Sequence, residues 1–310
     1  MSTPARVTGF LAALAAVFGL AVVAGQAVGP VSGPAPTHDA GHGTPADTRP
    51  VAAGTAQLPG GLMVSQNGYS LRLADTQAAA GSDVPVSFTV EGPDGRPVTA
   101  YDVEHGKRLH LIAVRRDFTG YQHVHPELHD GTWSTGLDLT PGQWRLFADF
   151  KPTEADPLTL GADLAVPGEY TPAPATGQSR TATVDGYSVS LDGRLTPGSD
   201  SRLTLTVSKD GEPVTDLQPY LGAYGHLVAL REGDLAYLHV HPDGAPGDGV
   251  TEPGPKVVFY AAVPSTGTYR LYLDFKHEGV VRTAAFTLAT EQAGTATTGG
   301  HSEGGGHGGH

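Results

Sequence analysis

The chain has no cysteine in its 310 residues. Disulfides and thiolate metal sites are therefore excluded. Its two methionines, Met1 and Met63, leave no thioether cluster for Cu(I). Basic residues are scarce: 19 Lys and Arg face 32 Asp and Glu, for a net charge of −13. With no basic stripe, nucleic acid is a poor partner. The acidity attracts cations mildly and specifies nothing further. There is no His-Glu-x-x-His, no Gly-x-Ser-x-Gly elbow and no phosphate-cradling Gly-Lys-Ser/Thr loop. The sequence therefore reads as a non-enzyme. Past the N-terminus no stretch carries helical periodicity, so the chain is not an α/β protein.

Glycine and proline are abundant, at 43 and 25 residues. Such turn-rich composition suits short strands. Arg6 precedes an apolar run from Val7 to about Val28. Residues 1–29 thus form either a cleavable signal, with Gly25-Gln26-Ala27 as a cut site, or a retained transmembrane helix. The length of the run favours the retained span. Either reading puts the rest of the chain outside the cytoplasm, membrane-anchored or secreted. Residues 30–60, with His38 and His42, read as a disordered tether. Residues 291–310, ending in His301, His307 and His310, read as a disordered tail.

Between these ends one unit occurs twice. Asn67-Gly68-Tyr69-Ser70 matches Asp185-Gly186-Tyr187-Ser188, and each opens with a hairpin turn pair. Val86, Phe88 and Val90 alternate with polar residues, as do Leu203, Leu205 and Val207, marking half-buried strands. The stretch from Gly142 to Lys151 matches Gly267 to Lys276. Trp144, Leu146, Ala148 and Phe150 share one face, as do Tyr269, Leu271, Leu273 and Phe275. A Gly-x-aromatic start with period-two alternation looks like a late core strand of an immunoglobulin-like sandwich. The expected fold is all-β: two tandem immunoglobulin-like β-sandwich domains, 61–168 and 181–290, joined by a linker at 169–180. The second copy differs by a longer Gly/Pro/acidic loop from Pro242 to Pro255.

The repeat also carries histidine. His110 is followed 13 residues later by His123-Val-His125-Pro, and His226 is followed 13 residues later by His239-Val-His241-Pro. Residues two apart on a strand point the same way. If the strand of His110 pairs with that of His123 and His125, three imidazoles converge. Imidazole suits Cu(II), Zn(II) or Ni(II). Two three-histidine sites follow as an expectation: His110, His123 and His125, then His226, His239 and His241. Fourth ligands or supporting acceptors are Glu104, Asp149 and Tyr121 in the first copy, and Asp274, Tyr237 and His277 in the second. Binding should weaken below the imidazole pKa of about 6.5, where protons compete.

Plainer readings stand beside this one. His110 shares a face with Ile112 and Val114, as a core-edge histidine does. His-Pro can simply end a strand. Asp149 and Asp274 can pair with Arg145 and Arg270, which is the expected arrangement for them. The histidines as a set can be a hydrogen-bonded fold signature kept after duplication. His123-Val-His125-Pro-Glu-Leu-His129-Asp130 lacks the Asp placement of metallo-β-lactamase-type hydrolases, and the second copy has no counterpart to His129.

The segments from Leu109 to Glu127 and from Pro219 to Pro242, with their duplicated His-Leu-(Ile/Val)-Ala-(Val/Leu)-Arg and His-Val-His-Pro motifs, resemble a group of exported, uncharacterised actinobacterial proteins. Some of these are labelled secreted or heavy-metal-binding. The resemblance covers about residues 60–290. It implies a membrane-attached or secreted role in binding metal. From residues and resemblance together, the expected function is extracytoplasmic binding or buffering of copper(II) or zinc. The alternative is a non-catalytic cell-envelope interaction or scaffold protein with structural histidines.

Overall fold

A computed structural model describes residues 58–238 and 240–291. The expected N-terminal helix, most of the tether, the tail from residue 292 and His239 lie outside the described residues. Among those described, all regular structure is strand, and no helix is long and apolar enough to cross a membrane.

The first repeat runs through β1 (Ser65–Gln66), β2 (Tyr69–Leu73), β3 (Gly81–Glu91), β4 (Leu109–Arg115), β5 (Gln122–Val124), β6 (Glu127–His129), β7 (Thr132–Leu139), β8 (Gly142–Phe150) and β9 (Leu158–Val166). The second runs through β10 (Thr181–Val184), β11 (Tyr187–Gly193), β12 (Asp200–Lys209), β13 (Glu212–Pro213), β14 (His226–Arg231), β15 (Tyr237–Leu238), β16 (Val240–Pro242), β17 (Lys256–Ala262), β18 (Thr268–His277) and β19 (Val280–Ala289). One sheet of the first repeat is ordered β1-β2-β3-β7-β6 and the other β5-β4-β8-β9. The second repeats this as β10-β11-β12-β17-β16 and β15-β14-β18-β19. This is the two-sheet strand order of an immunoglobulin-like sandwich, with A-B-E-D on one side and C-F-G plus an extra edge strand on the other.

Alternation fills each interior. Phe88, Val90, Leu111, Trp133, Trp144 and Leu146 belong to the first core, and Val189, Leu205, Ala229, Phe259, Tyr269 and Leu271 to the second. The start of the late core strand is pinned the same way in both. Tyr269 Oη donates to the Ser265 carbonyl at 2.8 Å, and Trp144 Nε1 donates to the Thr140 carbonyl at 2.8 Å. Each ties an aromatic back to the chain four residues upstream, as the tyrosine corner of such sandwiches does.

Strand β4 is buried on both faces. Leu111 and Ala113 enter the first core, while Ile112 and Val114 enter a third cluster. That cluster joins the repeats: Ile112, Val114 and Phe147 meet Val228, Leu230, Leu235 and Tyr272. The sheets containing β4 and β14 therefore pack on each other as well as on their own partners. Tyr121 stacks on Tyr272 with ring centres 4.0 Å apart, and Phe147 lies 5.8 Å from Tyr237, the counterpart pair. Tyr272 Oη also donates to the Phe118 carbonyl at 2.8 Å. The end of the expected tether takes part: Gly60 accepts from the Tyr237 amide, and the Gly61 amide donates to Thr159, both at 2.9 Å.

Candidate metal centre

Strand pairing places the first histidine set. Ile112 lies opposite His123 and Leu111 opposite Val124. Cross-strand neighbours share a face, so His110, Ile112, His123 and His125 all turn toward the second sandwich. The ligand nitrogens of His110, His123 and His125 all lie within 4.8 Å of one another. His110 Nδ1 is 3.0 Å from His123 Nε2 and 3.2 Å from His125 Nε2. His110 is only 8% exposed.

Hydrogen-bond partners decide which nitrogens carry protons. His110 Nε2 lies 3.1 Å from the Glu104 carbonyl, which only accepts. Nε2 is therefore the protonated nitrogen, and Nδ1 presents a bare lone pair. His123 Nδ1 donates to the Asp274 carboxylate at 2.8 Å, and Thr283 Oγ1 donates to the other carboxylate oxygen at 2.6 Å. With its ring neutral, His123 Nε2 is bare as well. Two lone pairs then face each other at 3.0 Å, an approach that a shared proton or a cation satisfies. Burial works against a proton on His110 or His125. Loss of hydration, reinforced by neighbouring imidazoles, holds both His110 and His125 down to about 3. Proton competition at these two nitrogens therefore sets in well below the value of about 6.5 expected from sequence.

Such an array suits a cation. Nitrogens about 2.0–2.1 Å from one ion stand roughly 3.0–3.4 Å apart at adjacent coordination positions. The observed 3.0 and 3.2 Å match that spacing. The carboxylate–histidine pair is the outer support that fixes ring orientation in metal sites. Here it crosses the interface: His123 belongs to the first repeat and Asp274 to the second.

The second histidine set is distributed differently. His226 opens β14 and its Nε2 donates to the Leu221 carbonyl at 3.0 Å, as His110 does to Glu104. Its ring turns toward the first set, 6.2 Å from His110 and 6.1 Å from His123. Burial holds its pKa down to about 4. His241 stands exposed on β16, opposite Tyr260 in the other sheet. The repeats diverge just here. Val124 pairs with Leu111 on β4, whereas its counterpart Val240 pairs with Ala261 on β17. The second chain trace changes sheets earlier, ahead of the longer loop from Pro242 to Pro255. That loop closes on Asp248, which accepts from the amides of Ala245, Val250 and Thr251.

The supporting residues also differ from expectation. Asp149 and Asp274 do not pair with Arg145 and Arg270. Asp149 accepts from Thr159 Oγ1 at 2.9 Å, and burial raises its carboxyl to about 6. Arg145 instead reaches Asp163 and the carbonyls of Gly61 and Leu62, and Arg270 lies over the Phe118 ring. Glu104 contributes its backbone carbonyl to His110. Tyr121 Oη is buried without a hydrogen-bond partner among the described residues. Tyr237 is buried beside Asp149. His277 is engaged elsewhere, between Tyr187 Oη at 2.7 Å and Asp216 at 3.0 Å.

The site borders a cavity of about 890 Å³ between the repeats, lined in part by His105, His110, His123, Asp149, His226 and Tyr237. Sequence reasoning missed His105, whose ring lies 5.4 Å from His226 and 6.2 Å from His110. It has no counterpart in the second copy. Its one local signal is the His105-Gly106 turn, with both residues at positive φ.

No curated protein sequence matches the chain. Similar solved structures include the Escherichia coli adhesin FdeC, at 17% identity over 74% of this chain and 65% of that one, with a TM-score of 0.24. Another is the Yersinia pseudotuberculosis adhesin InvE, at 16% identity over 72% and 59%, with a TM-score of 0.21. Two fibronectin type-III domains of chicken tenascin align at 11% identity over 71% and 98%, with a TM-score of 0.21. The chain thus spans 65% and 59% of the two adhesin structures. The fold assignment rests on the strand order described above. The duplication is matched as a family domain at residues 64–166 and again at 182–292, so the chain belongs to the family described as Domain of unknown function (DUF8832).

Proposed function

We propose that this protein is a non-catalytic binder of a divalent transition metal, acting outside the cytoplasm, with His110, His123 and His125 as the ligands. The observation that carries this is the convergence of the ring nitrogens of His110, His123 and His125 to within 4.8 Å of one another in a buried site, with His110 Nδ1 facing His123 Nε2 at 3.0 Å. The far nitrogens of His110 and His123 are committed to the Glu104 carbonyl and the Asp274 carboxylate. His125 joins as a ligand by moving its remaining proton to Nδ1. Copper(II) leads and zinc follows, because nitrogen donors bind Cu(II) most tightly among first-row divalent ions.

The test uses the full chain with His38, His42, His301, His307 and His310 replaced by Gln, here termed the tail-silent variant. Titration calorimetry with Cu(II) or Zn(II) is expected to lose about one equivalent when His123→Ala and His125→Ala are added together. An unchanged stoichiometry overturns the reading.

A second reading, a cell-envelope scaffold with structural histidines, is favoured by one observation. The His123–Asp274 bond joins the two repeats beside their shared apolar cluster, which a purely structural histidine would also do. A tail-silent variant whose melting temperature is unmoved by either metal assigns the protein to this reading.

A further inference from the structure

Three ligands leave an ion one position short of the closed four-coordinate arrangement of structural sites. We propose that His226 fills it, so that one ion joins the two sandwiches. This rests on the metal reading above.

The two repeats present equivalent histidines in equivalent ways. His110 lies opposite Asp149 in the β4–β8 register, and His226 lies opposite Asp274 in the β14–β18 register. Each donates Nε2–H to a backbone carbonyl of the preceding loop, at 3.1 and 3.0 Å. His226 Nδ1 is therefore bare for the same reason as His110 Nδ1. Asp274, its register partner, already holds the ligand His123. The His226 ring thus stands beside a carboxylate that reaches the triad across the interface.

Ring spacing supports the assignment. Within the first set, ring centres lie 5.3, 5.0 and 4.9 Å apart. Imidazoles bound tetrahedrally at about 2.0–2.1 Å have ring centres roughly 5 Å apart. His226 stands 6.2 and 6.1 Å from His110 and His123, so an approach of about 1 Å brings it into the set. His105 is less well placed: its ring neighbours His110 at 6.2 Å, and its closer contact is His226 itself, at 5.4 Å. The ion's site is thus divided unequally between the copies. The first supplies three ligands, and the second supplies one ligand and the carboxylate behind another. Binding draws the two sandwiches together, and the chain takes one ion where a simple doubling of the motif would take two.

The tail-silent full chain loaded with one equivalent of Cu(II) tests this. Pulsed electron paramagnetic resonance and X-ray absorption are expected to count four imidazoles. His226→Gln is expected to lower the count to three and to weaken binding at least about tenfold, the lower end of the loss seen when a metal site's supporting residues are removed. Three imidazoles in the parent overturn the inference and leave the metal reading standing, as do a His226→Gln variant with unchanged count and affinity or a parent that binds two ions. A parent that binds no ion overturns the metal reading itself. The parent spectrum needs no substitution, so a variant that fails to fold does not spoil the result.

Discussion

Asp274→Asn is the substitution that probes the centre most sharply. Asp274 lies on β18 of the second sandwich, accepts from His123 Nδ1 at 2.8 Å and is itself held by Thr283 at 2.6 Å. Both side chains of the pair are almost fully buried, at 5% and 3% exposed. Asparagine keeps the size and removes the charge. In one orientation its amide turns N–H groups toward His123, which moves the ring proton to Nε2, the nitrogen that faces the site. Loss of such outer support lowers metal affinity by about 10–100-fold, which is roughly 1.4–2.7 kcal/mol. The metal-free protein also loses a hydrogen bond to a charged group, worth about 1.5–3 kcal/mol. Competition against a chromophoric chelator measures the first effect in the tail-silent variant, and urea denaturation measures the second. Asp149→Asn is the internal control. It occupies the matching position and accepts from Thr159; its carboxyl acts on His123 through space and not by a hydrogen bond, so its effect on affinity should be smaller. Equal affinities for the parent and Asp274→Asn, in a variant with an unchanged circular dichroism spectrum, would refute the reasoning.

Three other outcomes follow from the same geometry. The pKa values of His110, His125 and His226 are lowered on folding, so below about pH 6.5 the unfolded chain takes up more protons than the folded one. Metal-free stability should fall as pH drops from about 6.5 toward about 4, and replacing all three by Gln should flatten that slope in denaturant melts. Protons should compete with metal at His110 and His125 only well below about pH 6.5, because burial keeps both rings neutral there; an NMR titration of the metal-free chain in which either ring protonates near 6.5 would contradict this. Tyr272→Ala removes a buried ring stacked on Tyr121 at 4.0 Å and a bond to Phe118, and should cost about 3–5 kcal/mol. If the interface couples the two sandwiches, calorimetry of that variant should resolve two transitions where the parent shows one.

Much of the architecture was legible because it is local. Period-two alternation around Phe88, Trp144, Leu205 and Tyr269 marks strands and their inner faces from residue order by itself. The equal spacing from His110 to His125 and from His226 to His241 exposes the duplication. In the first copy the shared face of the histidines follows from side-chain alternation plus one hairpin, since β4 and β5 are separated by a short turn. What lay beyond the sequence was the second burial of β4. Ile112 and Val114 marked His110 there as a core-edge histidine, yet the two meet Val228 and Leu230 of the other sandwich. The partner of His123 was equally hidden, because Asp274 is 151 residues away. Equal motifs also failed to give equal places: Val240 pairs with β17, so His241 leaves the face that His125 occupies. The sequence alone determined two like sandwiches and which imidazoles each one offers, because strand periodicity and hairpin pairing act over a few residues. Only the tertiary structure decided that the two are pressed together, and hence that the second repeat supports the first repeat's site. That choice depends on complementary packing between distant surfaces, which no short-range pattern records.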